Sequence, residues 1–203
     1  GGVADKYPLA NFNCSFTTIR SYEDLGDVFY LLLVGTGAGI KVTKKMAAGL
    51  PRVNVNVEVA NLAYEPVPAS ERIEDTETTI IGHTAVITVG DSKEGWVEAL
   101  RSFFRLISNK QQPVDRILLD YNNVRDRGER LKTFGGTASG PYPLQEMFEG
   151  FIKVLRNEID SSLAPIDVDE DGYGKLSPIH FLDFCNLIGN NVVVGGKQLC
   201  LQR

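Results

Sequence analysis

Cysteine is scarce in this chain: three residues, at positions 14, 185 and 200, with no regular spacing. That is too few for a disulfide scaffold or a four-thiolate zinc site, and a reducing, cytosolic setting is expected. Histidine is scarcer still. His83 and His180 stand far apart, without Cys, His or carboxylate neighbours at ligand spacing. No metal site is expected from them. A hydrolase would also need a base oriented by a third group, so both histidines read as structural. Basic charge is not in excess: the net charge of −5 argues against broad, non-specific nucleic-acid binding. No run of about 18 apolar residues offers a membrane span. Internal repeats and low-complexity linkers are absent as well. The start, Gly1-Gly-Val-Ala-Asp5, lacks an initiator Met and any signal-peptide pattern, so an internal piece of a longer chain is expected.

What remains is an ordinary globular composition, 43% hydrophobic and 23% charged over 203 residues, enough for one domain with a sizeable core. The pattern alternates strand and helix. Asn13 to Ile19 reads as a strand. Ser21-Tyr-Glu-Asp24 starts a helix that runs through Val28 to Val34 and ends at the glycine-rich turn Gly35-Thr-Gly-Ala-Gly39. Val53 to Val59 alternates with period two, the signal of a half-buried strand. Residues 79–89 are β-rich. Ser92 caps a helix over 93–108 with Trp96, Leu100, Phe103, Phe104 and Ile107 to one side. Val114 to Leu119 is a buried strand, and further helices cover roughly 143–160 and 177–190. Such alternation favours parallel pairing and an α/β fold, with residues 114–119 expected beside the strand that carries Cys14.

Four features compete for chemical meaning. Phe134-Gly-Gly-Thr-Ala-Ser-Gly-Pro141 holds three glycines and two hydroxyls after the arginine-rich run Arg125 to Lys132. Free N–H groups in such a loop can form a concave anion site; the plain alternative is a turn between strand and helix. Gly35 to Gly39 follows a helix, whereas a dinucleotide fingerprint follows a strand. Asp167-Val-Asp-Glu-Asp-Gly172 begins like a calcium loop, but Pro178 stands where the bidentate Glu belongs. It reads better as an acidic turn ahead of the cap Ser177-Pro178. Cys14 is either a small buried core residue or a redox thiol.

The run Asp126 to Pro141, together with Ala10-Asn-Phe-Asn-Cys-Ser-Phe16, Gly90-Asp-Ser-Lys-Glu-Gly-Trp-Val-Glu-Ala-Leu100 and Asn186-Leu-Ile-Gly-Asn-Asn-Val-Val-Val-Gly-Gly196, resembles the adenosylcobalamin-dependent (class II) ribonucleotide reductases. The branch is that of the ribonucleoside-triphosphate reductases. The resemblance implies part of a ten-stranded α/β barrel, its first half only, over residues 1–196, with a divergent tail at 197–203. It implies that Cys14 is one of two thiols oxidised to a disulfide as the ribose 2′-hydroxyl leaves, the two electrons coming from the thiol pair. Asn13, Ser15, Gly37 and Gly39 would line the substrate pocket. Gly135, Gly136, Thr137 and Ser139 would approach a nucleotide, substrate or effector. Adenosylcobalamin would be the cofactor of the full-length enzyme. The partners would be a ribonucleotide, a deoxynucleotide effector and a thioredoxin-type reductant, with no nucleic acid and no membrane, in the cytoplasm. The thiyl cysteine and the second reducing cysteine of the family are absent, so the chain alone is not expected to turn over. The alternative is a non-catalytic nucleotide-binding module that keeps the glycine-rich loops.

Overall fold

The computed structural model describes residues 14–131 and 136–192. The order of elements alternates as expected. Strand β1 (Cys14–Thr18) is followed by helix α1 (Glu23–Leu33), β2 (Gly37–Lys41), α2 (Lys44–Gly49), β3 (Val53–Asn54) and β4 (Glu58–Asn61). Next come β5 (Glu77–Ile81), β6 (Thr84–Thr88), α3 (Lys93–Ser108), β7 (Arg116–Asp120) and α4 (Tyr142–Leu155). The last are β8 (Asp167–Val168), β9 (Tyr173–Lys175) and α5 (Pro178–Asn191). The α/β class is thus observed.

Three sheets form. β1 and β2 pair in parallel. The main sheet has the order β4-β7-β6-β5, with β7 parallel to both neighbours and β5 antiparallel at one edge. β3, β9 and β8 make a small antiparallel sheet. The strand at 116–120 is real and buried, but it lies in a different sheet from Cys14. The expected adjacency is therefore corrected: β7 takes β4 and β6 as neighbours, and β1 takes β2.

Two local readings also change. The period-two run at 53–59 is two strands. The Asn54 amide accepts the Asn56 N–H at 3.0 Å and donates to the Val114 carbonyl at 3.0 Å, and such side-chain competition for backbone groups turns the chain. Val53 then joins the small sheet and Glu58–Asn61 the large one. Likewise Gly35 (φ +86°) ends α1, but from Gly37 onward the glycine-rich stretch is strand β2, not turn.

Helix α3 is as the sequence indicates. Ser92 accepts the Gly95 N–H at 2.8 Å, and the apolar side buries Val97, Leu100, Phe103, Phe104 and Ile107. These meet α1, α4 and α5 in an aromatic centre. The Phe104 ring lies 5.3 Å from Tyr22, 5.5 Å from Phe151 and 5.2 Å from Phe184.

The carboxyl ends of β4, β7 and β6 are crossed by an extended strap, residues 62–76. It is pinned by the Asn122 and Asn123 side chains, which accept the Glu65 and Ile73 N–H groups at 2.6 and 3.2 Å. The strap then passes over the start of α3: Ser92 Oγ donates to the Glu74 carbonyl at 2.7 Å and the Asp91 N–H donates to the Ile73 carbonyl at 2.9 Å. The crossing explains two glycines of the 90–100 motif. A Cβ on Gly90 would fall on the Glu74 carbonyl, and one on Gly95 would lie 2.5 Å from the same oxygen. Because the obstacle is backbone, it cannot swing away. Gly90→Ala is expected to destabilise the fold by about 1–3 kcal/mol, the usual range for overpacking. A denaturant midpoint unchanged in that variant would refute the close crossing.

Candidate functional site

Cys14 opens β1 and is exposed. Register places Gly37 opposite Cys14 and Gly39 opposite Phe16. Gly37 places no side chain on the strand position beside the thiol. The other face, with Ala38 buried, packs toward α1. Phe16 is 65% exposed, and its ring occupies the place a Gly39 Cβ would approach at 3.2 Å. A core role for Cys14 does not match this placement. Cys185 is the core thiol: it is buried in α5, and desolvation pushes its pKa up to about 12, leaving it inert at neutral pH. Ser15 is half-buried on the opposite face. Asn13 lies outside the described residues.

The arginine- and glycine-rich segment folds back on itself after β7. The Gly128 N–H donates to the Ala138 carbonyl at 2.9 Å, the Ala138 N–H to the Glu129 carbonyl at 2.7 Å and the Leu131 N–H to the Gly136 carbonyl at 3.0 Å. The result is an irregular hairpin ahead of α4. Gly136 and Gly140 adopt φ of +83° and +75°, a region that disfavours L side chains. Gly136 serves this conformation rather than close packing, since among the described residues nothing lies within 4 Å of where its Cβ would be. Thr137 and Ser139 are exposed; Gly135 lies outside the described residues. The Ala138 N–H is already engaged inside the hairpin, so an anion there would meet hydroxyls more readily than a full nest of N–H groups. The structure therefore gathers the predicted residues into two groups: Cys14, Ser15, Gly37 and Gly39 on β1–β2, and Gly136, Thr137 and Ser139 on the hairpin.

Sequence reading did not find the ion cluster under the hairpin. The Asp91 carboxylate, 9% exposed, binds Arg125 at 3.0 Å. Arg72, 10% exposed, lies 3.7 Å from Asp91 and 2.8 Å from Glu129. Asp91 sits inside the 90–100 motif and Arg125 in the arginine-rich run, but nothing local pairs them.

The other candidates resolve into structure. In the acidic turn, Lys110 reaches Asp169 at 2.6 Å and Asp171 at 3.2 Å, and Arg52 reaches Asp167 at 2.6 Å. Lys110 holds the Asp169 carboxyl below the usual range. His180 Nδ1 accepts the Ser177 N–H at 2.9 Å and closes the first turn of α5; burial lowers its pKa. Exposed His83 lies 3.1 Å from the Pro113 carbonyl. Among the described residues no three His, Cys, Asp or Glu side chains are grouped to hold a metal ion, and no helix is long and apolar enough to cross a membrane.

The family described as B12-dependent ribonucleotide reductase, insertion domain, matches residues 53–155, just over half of the 203. The chain belongs to the B12-dependent ribonucleotide reductases. The resemblance seen in the four motifs is thereby borne out. The segment matched as the reductase insertion domain holds the whole main sheet with α3, the hairpin and α4, while β1, α1 and β2 precede it. Similar proteins include the adenosylcobalamin-dependent ribonucleoside-triphosphate reductases of Lactobacillus acidophilus, 29% identical over 84% of this chain and 23% of the relative, and of Lacticaseibacillus paracasei, 30% over 84% and 23%. The Lactobacillus leichmannii reductase is 28% identical over 84% and 22%. A crystal structure of a B12-dependent (class II) ribonucleotide reductase superposes with a TM-score of 0.65 at 25% identity, covering 91% of this chain and 28% of that one. The chain thus spans about a quarter of the length of the reductases it matches.

Proposed function

We propose that this chain is the part of an adenosylcobalamin-dependent ribonucleoside-triphosphate reductase that carries one reducing thiol and a nucleotide-facing hairpin. The observation that carries this reading is Cys14, exposed at the head of a parallel strand beside a glycine with no side chain. There a ribose can lie against the thiol, with Gly37 and Gly39 on the neighbouring strand; Asn13 and Ser15 flank Cys14 in the chain, and Ser15, whose side chain is on the other face of β1, would contribute backbone groups. Reduction replaces the 2′ C–OH bond by C–H. Cys14 and a second thiol form a disulfide, giving up two electrons and two protons, and the oxygen leaves as water. A thioredoxin-type dithiol then restores the pair by exchange. Gly135, Gly136, Thr137 and Ser139 face a nucleotide, substrate or deoxynucleotide effector, through hydroxyl and N–H donors.

β1 and β2 are read as strands of the ten-stranded barrel, within a reductase region over 1–196 that carries the insertion at 53–155; the tail at 197–203 lies outside the described residues. A parallel pair with no third strand among the described residues supports this, because parallel sheets are normally covered and extended on both sides. A free-standing nucleotide-binding module gains no support, since it needs no accessible thiol. The cytoplasm, where thiols stay reduced, is the proposed location.

Adenosylcobalamin supplies the initiating radical in this class of reductase. The open groove between α1 and α3, about 560 Å³, is lined by Asp27, Asp75, Glu94, Glu98 and Arg101 among others. A corrin would have to strip water from those carboxylates, which is costly, so the groove does not fit it. The roles proposed for this chain are limited to thiol chemistry and nucleotide contact. The complete protein, incubated with ribonucleoside triphosphate and dithiol, is expected to form deoxynucleotide only when adenosylcobalamin is added. Product at the same rate without it, or none with it, would sink the proposal.

A further inference from the structure

We propose that Asp91 is a positioning residue that sets the pose of the glycine hairpin, acting through Arg125 and Arg72; the nucleotide part of this inference rests on the function proposed above. One Asp91 oxygen accepts the Arg125 backbone N–H at 3.1 Å and Nε at 3.0 Å, and the other accepts Nε at 3.1 Å and Nη2 at 3.0 Å. Such a two-pronged pair fixes orientation as well as distance. Arg72 lies against the same carboxylate and donates from Nη1 to Glu129 at 2.8 Å and from Nε to the Val67 carbonyl at 3.2 Å.

The hairpin is therefore held at two points. Arg125 stands at its root. Glu129 stands on its first arm, where its carbonyl accepts the Ala138 N–H from the second arm. Asp91 itself is fixed by the strap, through its N–H to Ile73, at the carboxyl end of β6. Two guanidiniums and two carboxylates cancel in charge. The Asp91 and Arg72 side chains are about nine-tenths buried, and an ion pair so placed contributes little net stability compared with an apolar packing. Its effect is geometric, and the element whose geometry it sets is the segment with Gly136, Thr137 and Ser139. Gly136, Thr137 and Ser139 are exposed, so these three residues take little support from packing.

The test uses the full 203-residue chain, with ATP as probe. Asp91→Asn keeps the shape and removes the charge. It is expected to speed hydrogen exchange at the Gly128, Leu131 and Ala138 amides at least tenfold, to leave the Ile117 and Leu119 amides of β7 unchanged, and to weaken ATP at least tenfold. Unchanged hairpin exchange would overturn the proposal. So would equal acceleration in hairpin and sheet, which would make Asp91 a plain stability residue. Glu129→Gln, at a partly exposed position, gives the same readout should Asp91→Asn fail to fold, with the same direction expected and the same overturning results. If wild-type chain binds no ATP while Asp91→Asn still loosens the hairpin alone, the nucleotide reading of the hairpin falls and the positioning role stands.

Discussion

Cys14→Ser in the complete reductase is expected to abolish multiple-turnover formation of deoxynucleotide. Serine nearly matches cysteine in size, but it cannot form the disulfide that releases two electrons. Binding of ribonucleotide and the spectroscopic signals of the bound cofactor should persist, because neither needs this thiol to change oxidation state. Normal turnover in the variant would make Cys14 structural and remove the central assignment. Accessibility can be checked on the chain itself. In a Cys200→Ser background, iodoacetamide should label exposed Cys14 and spare Cys185, whose thiol stays protonated far above neutral pH.

The largest loss of stability is expected from Phe104→Ala. Phe104 is fully buried and touches the rings of Tyr22 at the N-cap of α1, Phe103 in α3, Phe151 in α4 and Phe184 in α5. Removing such a ring typically costs about 3–5 kcal/mol, which for a chain of this length lowers the melting temperature by roughly 6–20 °C. Phe16→Ala is the control. Its ring is 65% exposed, and the change should stay within about 0.5 kcal/mol. Equal effects of the two variants would contradict the described core.

The contrast between Phe104 and Phe16 shows what a sequence can and cannot say. Helix α3 was legible because its signals are local: a serine cap at 92 and an apolar stripe with helical period. The strand at 116–120 was legible as a strand for the same reason. Its neighbours were not, since an apolar run carries no address, and β7 found β4 and β6 instead of β1. The split at Asn54 was hidden because its partner, the Val114 carbonyl, is distant in sequence. The need for glycine at 90 and 95 was hidden as well, because the Glu74 carbonyl that crosses both is distant in sequence. The candidate site divides in the same way. Cys14, Gly37 and the glycine hairpin were visible as motifs. The Asp91–Arg125 pair was not, because opposite charges far apart in the chain declare nothing until the strap and the hairpin bring them together.

The order β4-β7-β6-β5 also has a meaning in time. β5 and β6 are joined by a two-residue turn at Gly82 and His83, and α3 leads from β6 straight to β7. These three strands and one helix close short loops, which form fast and at little entropic loss. β4 is different. It precedes the hairpin in sequence, yet it must wait for β7 before it has a partner. The strap at 62–76 can settle over the strand ends only once β4 is in place. Folding should therefore finish, and local opening begin, at β4 and the strap, so that the floor beneath the glycine hairpin is the last part of the sheet to set and the first to yield.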